Sequence, residues 1–190
     1  MSTIDPNRQY SLKDYMTWDE RTRYELIEGV PFLLASPSTQ HQEVASNLHG
    51  LIWGFLDSIH SVCRVYSAPT DLALFADETT GMDHINTIVQ PDLFVICQDR
   101  QGNLLRGVPA WIIEILSPST AKEDLFVKFA LYQKAKVQEY WVVDPVNQYV
   151  RVFLLQGDQY QEISFFDRNE RVTVTTFPAL NIDLSRVFIN

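Results

Sequence analysis

Two apolar stretches of this chain each carry a single carboxylate. Asp92 interrupts the run from Val89 to Ile96, and Glu114 interrupts the run from Ala110 to Leu116. Runs so rich in Val, Ile, Phe and Trp read as buried strands. A carboxylate in such a strand is costly unless it is paired, protonated or bound to a cation. If the two strands are neighbours, both carboxylates project from one sheet edge toward a common point. Mg²⁺ takes oxygen ligands and keeps several waters, so one or two carboxylates with a backbone carbonyl suffice to hold it. Such an ion polarises a phosphodiester and lowers the pKa of the attacking water. The bland alternative puts each carboxylate on a solvated strand face; the apolar residues on both sides of each argue against it.

Three further residues are candidates. Lys128 lies on the helix expected after the Glu114 strand. Placed over the acidic pair, its ammonium would hold the attacking water or stabilise developing phosphorane charge. Its ordinary reading is an exposed pair with Asp124, one helical turn earlier. Glu25, hemmed by Tyr24, Leu26 and Ile27, would complete the carboxylate cluster, and its alternative is a surface acid. His41 begins a helix, where the dipole disfavours the imidazolium and is expected to keep the ring neutral; its alternative is a polar residue of an N-terminal turn. Ser117 and Ser119 do not suggest a serine hydrolase, because no Gly-x-Ser-x-Gly elbow is present and the composition suits a strand-to-helix turn. The sequence has no Gly-rich phosphate loop and no Cys/His zinc pattern.

The elements that must position these residues follow from periodicity. Ser11 caps a short helix from Leu12 to about Glu20. Tyr24 to Ala35 reads as a hairpin turning at Glu28-Gly29. From His41 to Ile59, apolar residues recur at helical spacing and predict a long amphipathic helix. Val62 to Phe75 reads as one or two strands with a kink at Pro69, and residues 76–88 as a loop or hairpin tip. Thr120 to Glu123 fits a capping box that starts a helix reaching about Lys134. Gln138 to Pro145 is a strand, and Tyr149–Leu155, Tyr160–Phe166 and Arg171–Thr176 suggest an antiparallel meander. No internal repeat or linker is evident. The 190 residues suit one α/β domain behind a loose arm over 1–10.

Composition narrows the class. The 15 Lys and Arg against 24 Asp and Glu give a net charge of −9, unlike the basic footprint of a bulk nucleic-acid binder. It is compatible with an enzyme that needs a divalent cation to approach a phosphate. Cys63 and Cys97 show no metal-type spacing and are expected as buried thiols of a reducing compartment. Residues 1–8 lack the basic start and apolar core of a secretory leader, and no apolar run is long enough to span a bilayer. A cytoplasmic protein without a membrane anchor is expected.

The ordered set of residues resembles a known family. Tyr24-Glu25-Leu26-Ile27-Glu28-Gly29, Ser36-Pro37-Ser38 with His41-Gln42, and Gln90-Pro91-Asp92 are followed by Glu114-Ile115-Leu116-Ser117-Pro118-Ser119-Thr120. Asp124 with Lys128 and Tyr132, and Val137 to Asp144, complete the set. The pattern is similar to the Uma2 family, within the PD-(D/E)XK nuclease superfamily, over roughly residues 10 to 188.

That resemblance implies a restriction endonuclease-like α/β fold: a mixed central sheet flanked by helices, with the C-terminal meander appended. It also implies divalent-metal-dependent phosphodiester hydrolysis in DNA. Asp92 and Glu114 would be the ligands of Mg²⁺ or Mn²⁺, Glu25 the N-terminal acid, and a homodimer the assembly, since two sites cut two strands. The superfamily pattern wants a lysine two residues after the Glu, where this chain has Leu116. The family moves that lysine to the next helix, at Lys128. The rival expectation is an inactive nuclease-fold module that binds nucleic acid or protein. A third is a self-associating protein that uses the aromatic C-terminal meander.

Overall fold

The computed structural model describes residues 4–5, 7–19, 21–98, 104–117 and 123–189. In chain order its elements are α1 (Leu12–Tyr15), β1 (Tyr24–Ile27), β2 (Val30–Leu33), α2 (Thr39–Ser58), β3 (Arg64–Ser67), β4 (Leu72–Ala73), β5 (Ile88–Val89) and β6 (Leu93–Ile96). There follow β7 (Leu105–Arg106), β8 (Trp111–Ile115), α3 (Glu123–Lys134), β9 (Glu139–Asp144), β10 (Tyr149–Gln156), β11 (Gln159–Asp167), β12 (Arg171–Thr173) and β13 (Asn181–Asp183). They divide into two compact units. One holds residues 1–36, 69–90 and 99–107, the other residues 37–68, 91–98 and 108–190.

The first unit is a five-stranded sheet of order β2-β1-β5-β4-β7. Its hairpin turns where expected: Glu28 and Gly29 both have positive φ, 49° and 84°. Two consecutive positive φ values make the tight turn that matches strand twist. Helix α1 is one turn long rather than reaching Glu20. Asp14 accepts the Ser11 backbone N–H at 3.0 Å, which closes the N-terminus. Beyond Met16 the chain leaves the helix and Trp18 packs against Tyr10, Tyr15 and Tyr24, with each centroid distance 5.3 Å. That aromatic cluster outweighs the few hydrogen bonds a longer helix would add. Tyr10, at the end of the expected arm, is buried, and its N–H bonds the Gly29 carbonyl.

The second unit is built on a six-stranded mixed sheet of order β11-β10-β9-β8-β6-β3. β8 and β9 run parallel and every other neighbouring pair antiparallel. Alternation decides the two faces. Trp111, Ile113, Ile115, Trp141 and Val143 join Val44, Leu48, Ile52 and Leu56 of α2 in one core. On the opposite face, Tyr140 meets Phe129 and Tyr132 of α3, with Phe153 and Tyr160 beside it. This is the expected mixed sheet flanked by helices. The meander consists of β9, β10 and β11. Arg171–Thr173 instead pairs with Asn181–Asp183 in a separate two-stranded ribbon, which puts Val172 and Ile182 into the α2 core.

Cys63 and Cys97 are not separate thiols; they form a disulfide. Register is the reason. β3 and β6 pair Arg64 with Ile96, so one step further sets the two cysteines opposite each other. The Thr120–Lys122 part of the expected capping box lies outside the described residues, as do Ser119 and the side chain of Asp124. No helix among the described residues is long and apolar enough to cross a membrane.

Candidate active site

Register brings the two carboxylates together. β6 and β8 pair Leu93 with Ile113 and Phe94 with Ile112. The ladder ends at Leu93 and Ile113, and Asp92 and Glu114 are the next residue on each strand beyond that end. Asp92 also reaches across the gap, because its Oδ2 accepts the Ile115 backbone N–H at 2.7 Å. Among the described residues, both hydrogen bonds that the Asp92 carboxylate accepts go to Oδ2. Its side chain remains 19% exposed.

Glu114 points to the α3 face, and α3 answers it with two donors one helical turn apart. Lys128 Nζ lies 3.0 Å from Glu114 Oε1, and Tyr132 Oη donates to the same oxygen at 2.6 Å. The Lys128 side chain is 12% exposed, so it is not the solvated surface lysine of the ordinary reading. Tyr132 carried no assigned role from the sequence. The available signal was its spacing from Lys128, which puts both on one stripe of α3. Tyr140, facing the same site from β9, has a buried hydroxyl with no hydrogen-bond partner among the described residues. Burial, then the charge of Glu114, hold its phenol well above the ordinary value.

His41 enters from the N-terminus of α2. Ser38 caps that helix by accepting the His41 N–H at 3.2 Å. The ring then lies with Nε2 3.1 Å from Asp92 Oδ2. Burial lowers the imidazole pKa, but the hydrogen bond and charge of Asp92, with help from Glu114, outweigh it. The net shift is upward from 6.5. The shift is opposite in direction to the one expected from the helix dipole, because a carboxylate in contact outweighs the partial charge of a helix end. His41 Nδ1 is buried with no hydrogen-bond partner among the described residues. From Asp92 and His41 a cavity of about 370 Å³ extends along α2 and β3, lined also by Gln42, Ser46, His49 and Ser67.

Glu25 belongs to the first unit, where it is buried. Its Oε1 accepts the Gln90 backbone N–H at 2.8 Å. The Gln90 side chain is held in turn by Arg23, at 2.7 Å and 3.0 Å, and by Asp71 at 2.8 Å. Glu25 thus fixes the backbone of the residue that precedes Pro91-Asp92 in the chain.

No group of three or more His, Cys, Asp or Glu side chains among the described residues forms a metal cage. The donor set nonetheless fits a hard divalent cation. Two carboxylates follow the same end of the β6–β8 ladder, Asp92 Oδ1 accepts no hydrogen bond from the described residues, and such ions retain waters in the remaining positions.

Comparison with known proteins gives consistent results. Residues 12–185 match the family Uma2, described as "Putative restriction endonuclease". An uncharacterized protein of Synechocystis, slr1290, is 25% identical over 160 residues, covering 80% of this chain and 78% of that protein. The crystal structure of a putative nuclease belonging to DUF820 from Anabaena variabilis superimposes with a TM-score of 0.76 at 22% identity. It covers 94% of this chain and 97% of that one. That likeness establishes the restriction endonuclease-like fold.

Proposed function

The chain belongs to the Uma2 family, and from that premise we propose that it is a metal-dependent endonuclease that hydrolyses phosphodiester bonds in DNA. The observation that supports this reading is that Asp92 and Glu114 follow the same end of the β6–β8 ladder, with Asp92 Oδ2 accepting the N–H of Ile115 beside Glu114. Asp92 and Glu114 would hold Mg²⁺ or Mn²⁺. When bound, such an ion supplies charge neutralisation on the phosphodiester and a more acidic water.

The other roles are those of the chain's own groups. Lys128, seated 3.0 Å from Glu114, brings a cation to the point where the phosphorane develops negative charge, and orients the attacking water there. Tyr132 fixes the rotamer of Glu114. His41 fixes Asp92 through Nε2 and offsets part of its charge. Glu25 is the assisting acid of this reading, through its hold on the Gln90 backbone. The substitution of Leu116 for the superfamily lysine is offset because α3 packs on the Glu114 face and delivers an ammonium from there. The proposal includes a single functional domain, a cytoplasmic setting and a homodimer that presents two sites to two strands.

The test is cleavage of a DNA substrate with and without Mg²⁺, by wild type and by Asp92→Ala. Wild type is expected to cleave only with the metal, and Asp92→Ala to be inactive yet folded. Metal-dependent cleavage retained by Asp92→Ala would contradict the assignment.

A further inference from the structure

The outer face of α2 carries features that packing within the chain does not explain. Gly50 and Gly54 lie in the interior of a 20-residue helix, where glycine is unfavourable relative to alanine. A Cβ at either position would meet nothing within 4 Å, so no close approach inside this molecule demands glycine. Between them Trp53 is 57% exposed, while Trp111 and Trp141 are fully buried. Gln42, Ser46, His49 and Gly50 line the cavity that ends at Asp92. These positions and Trp53 recur at helical spacing, so the cavity and the indole lie along one stripe.

With a net charge of −9, this chain has little to offer a phosphate backbone by counterion release. Recognition of a nucleic acid by such a surface must come from base faces and base edges. An exposed indole stacks on any base, and amide, hydroxyl and imidazole groups pair with base edges. A duplex shows its base edges only in the grooves and has no free base face along its length, because its bases are already stacked. The cavity, about 370 Å³, is within the size range of small-ligand sites and suits a single nucleotide.

We propose that this stripe of α2 seats the unpaired nucleotides of a single-stranded segment, one in the cavity beside Asp92 and a neighbour stacked on Trp53. The choice of nucleic acid as ligand rests on the nuclease reading above; the strandedness rests on the cavity and the indole. The two glycines then have a reason, since they keep the helix surface low where the strand lies.

Fluorescence titration with a short oligothymidylate and with a duplex of equal length, both in EDTA so that nothing is cut, tests this directly. Wild type is expected to bind the single strand more tightly than the duplex, with quenching of tryptophan emission. Trp53→Ala is expected to weaken single-strand binding about tenfold. Gly50→Leu, whose side chain has room and suits a helix, is expected to keep or raise the melting temperature while blocking binding.

Tighter binding of duplex, or single-strand binding unchanged in both variants, overturns the inference. So does a light-scattering result in which Trp53→Ala turns a dimer into a monomer, because the face is then a seam between copies. Absence of any nucleic-acid binding by wild type overturns it too, even with Asp92-dependent cleavage in hand. Single-strand binding lost in both variants, in a protein that never cleaves, upholds the inference and removes the endonuclease reading.

Discussion

Tyr132 donates a 2.6 Å hydrogen bond to Oε1 of Glu114 from a fully buried position on α3. The same oxygen receives Lys128 at 3.0 Å, so two residues of one helix face fix the Glu114 carboxylate.

Tyr132→Phe keeps the ring and removes that bond. Second-sphere partners of a metal ligand typically contribute ten- to a hundredfold to affinity or activity. The variant is expected to bind Mn²⁺ about tenfold more weakly in calorimetry. It should also lose about 1.5–3 kcal/mol of stability, because a hydrogen bond to a charged group is removed. Unchanged affinity would assign Tyr132 to packing alone.

Lys128→Ala separates charge stabilisation from metal binding. Turnover is expected to fall by about a hundredfold, with metal affinity changed far less. A loss confined to metal affinity would contradict the proposed role of the ammonium.

His41 gives a pH dependence with a defined sign. Its folded pKa lies above 6.5 in the metal-free protein, so the imidazolium favours the native state. That contribution is fully present below the unfolded pKa and disappears as pH rises through the folded value. Stability of wild type relative to His41→Gln is therefore expected to decline as pH rises above about 6.5. An NMR titration of the His41 ring that gives a pKa below 6.5 would reverse the sign.

The disulfide closes a loop with a sequence separation of 34. Removing such a crosslink typically costs about 2–4 kcal/mol, so reduction or Cys63→Ser/Cys97→Ser is expected to lower the unfolding midpoint. Alkylation of both cysteines in the native, unreduced protein would show instead that the bond does not form.

Much of the framework was legible in the sequence because it is local. Glu28-Gly29 can make only a few turns, α2 has a clear apolar period, and a carboxylate in an apolar run marks Asp92 and Glu114 by its desolvation cost. What could not be read depends on strand order. The pairing of β6 with β8 that brings Asp92 and Glu114 to one ladder end, the pairing of Cys63 with Cys97 and the partnership of Arg171–Thr173 with Asn181–Asp183 are all facts of register, which periodicity does not encode. His41 illustrates a second limit. The helix dipole was visible in the sequence, but the carboxylate that outweighs it lies 51 residues away. Tyr132 was visible as an aromatic at helical spacing from Lys128, yet its bond to Glu114 required knowing which sheet face α3 covers.

Asp92 and Glu114 are proposed to form one divalent-metal site, and calorimetric titration with Mg²⁺ and Mn²⁺ reads that site out without a nucleic-acid substrate. On wild type and on Asp92→Ala/Glu114→Ala shown by circular dichroism to be folded, saturable binding is expected for wild type and none for the double variant. Saturable binding that survives the double substitution would contradict it.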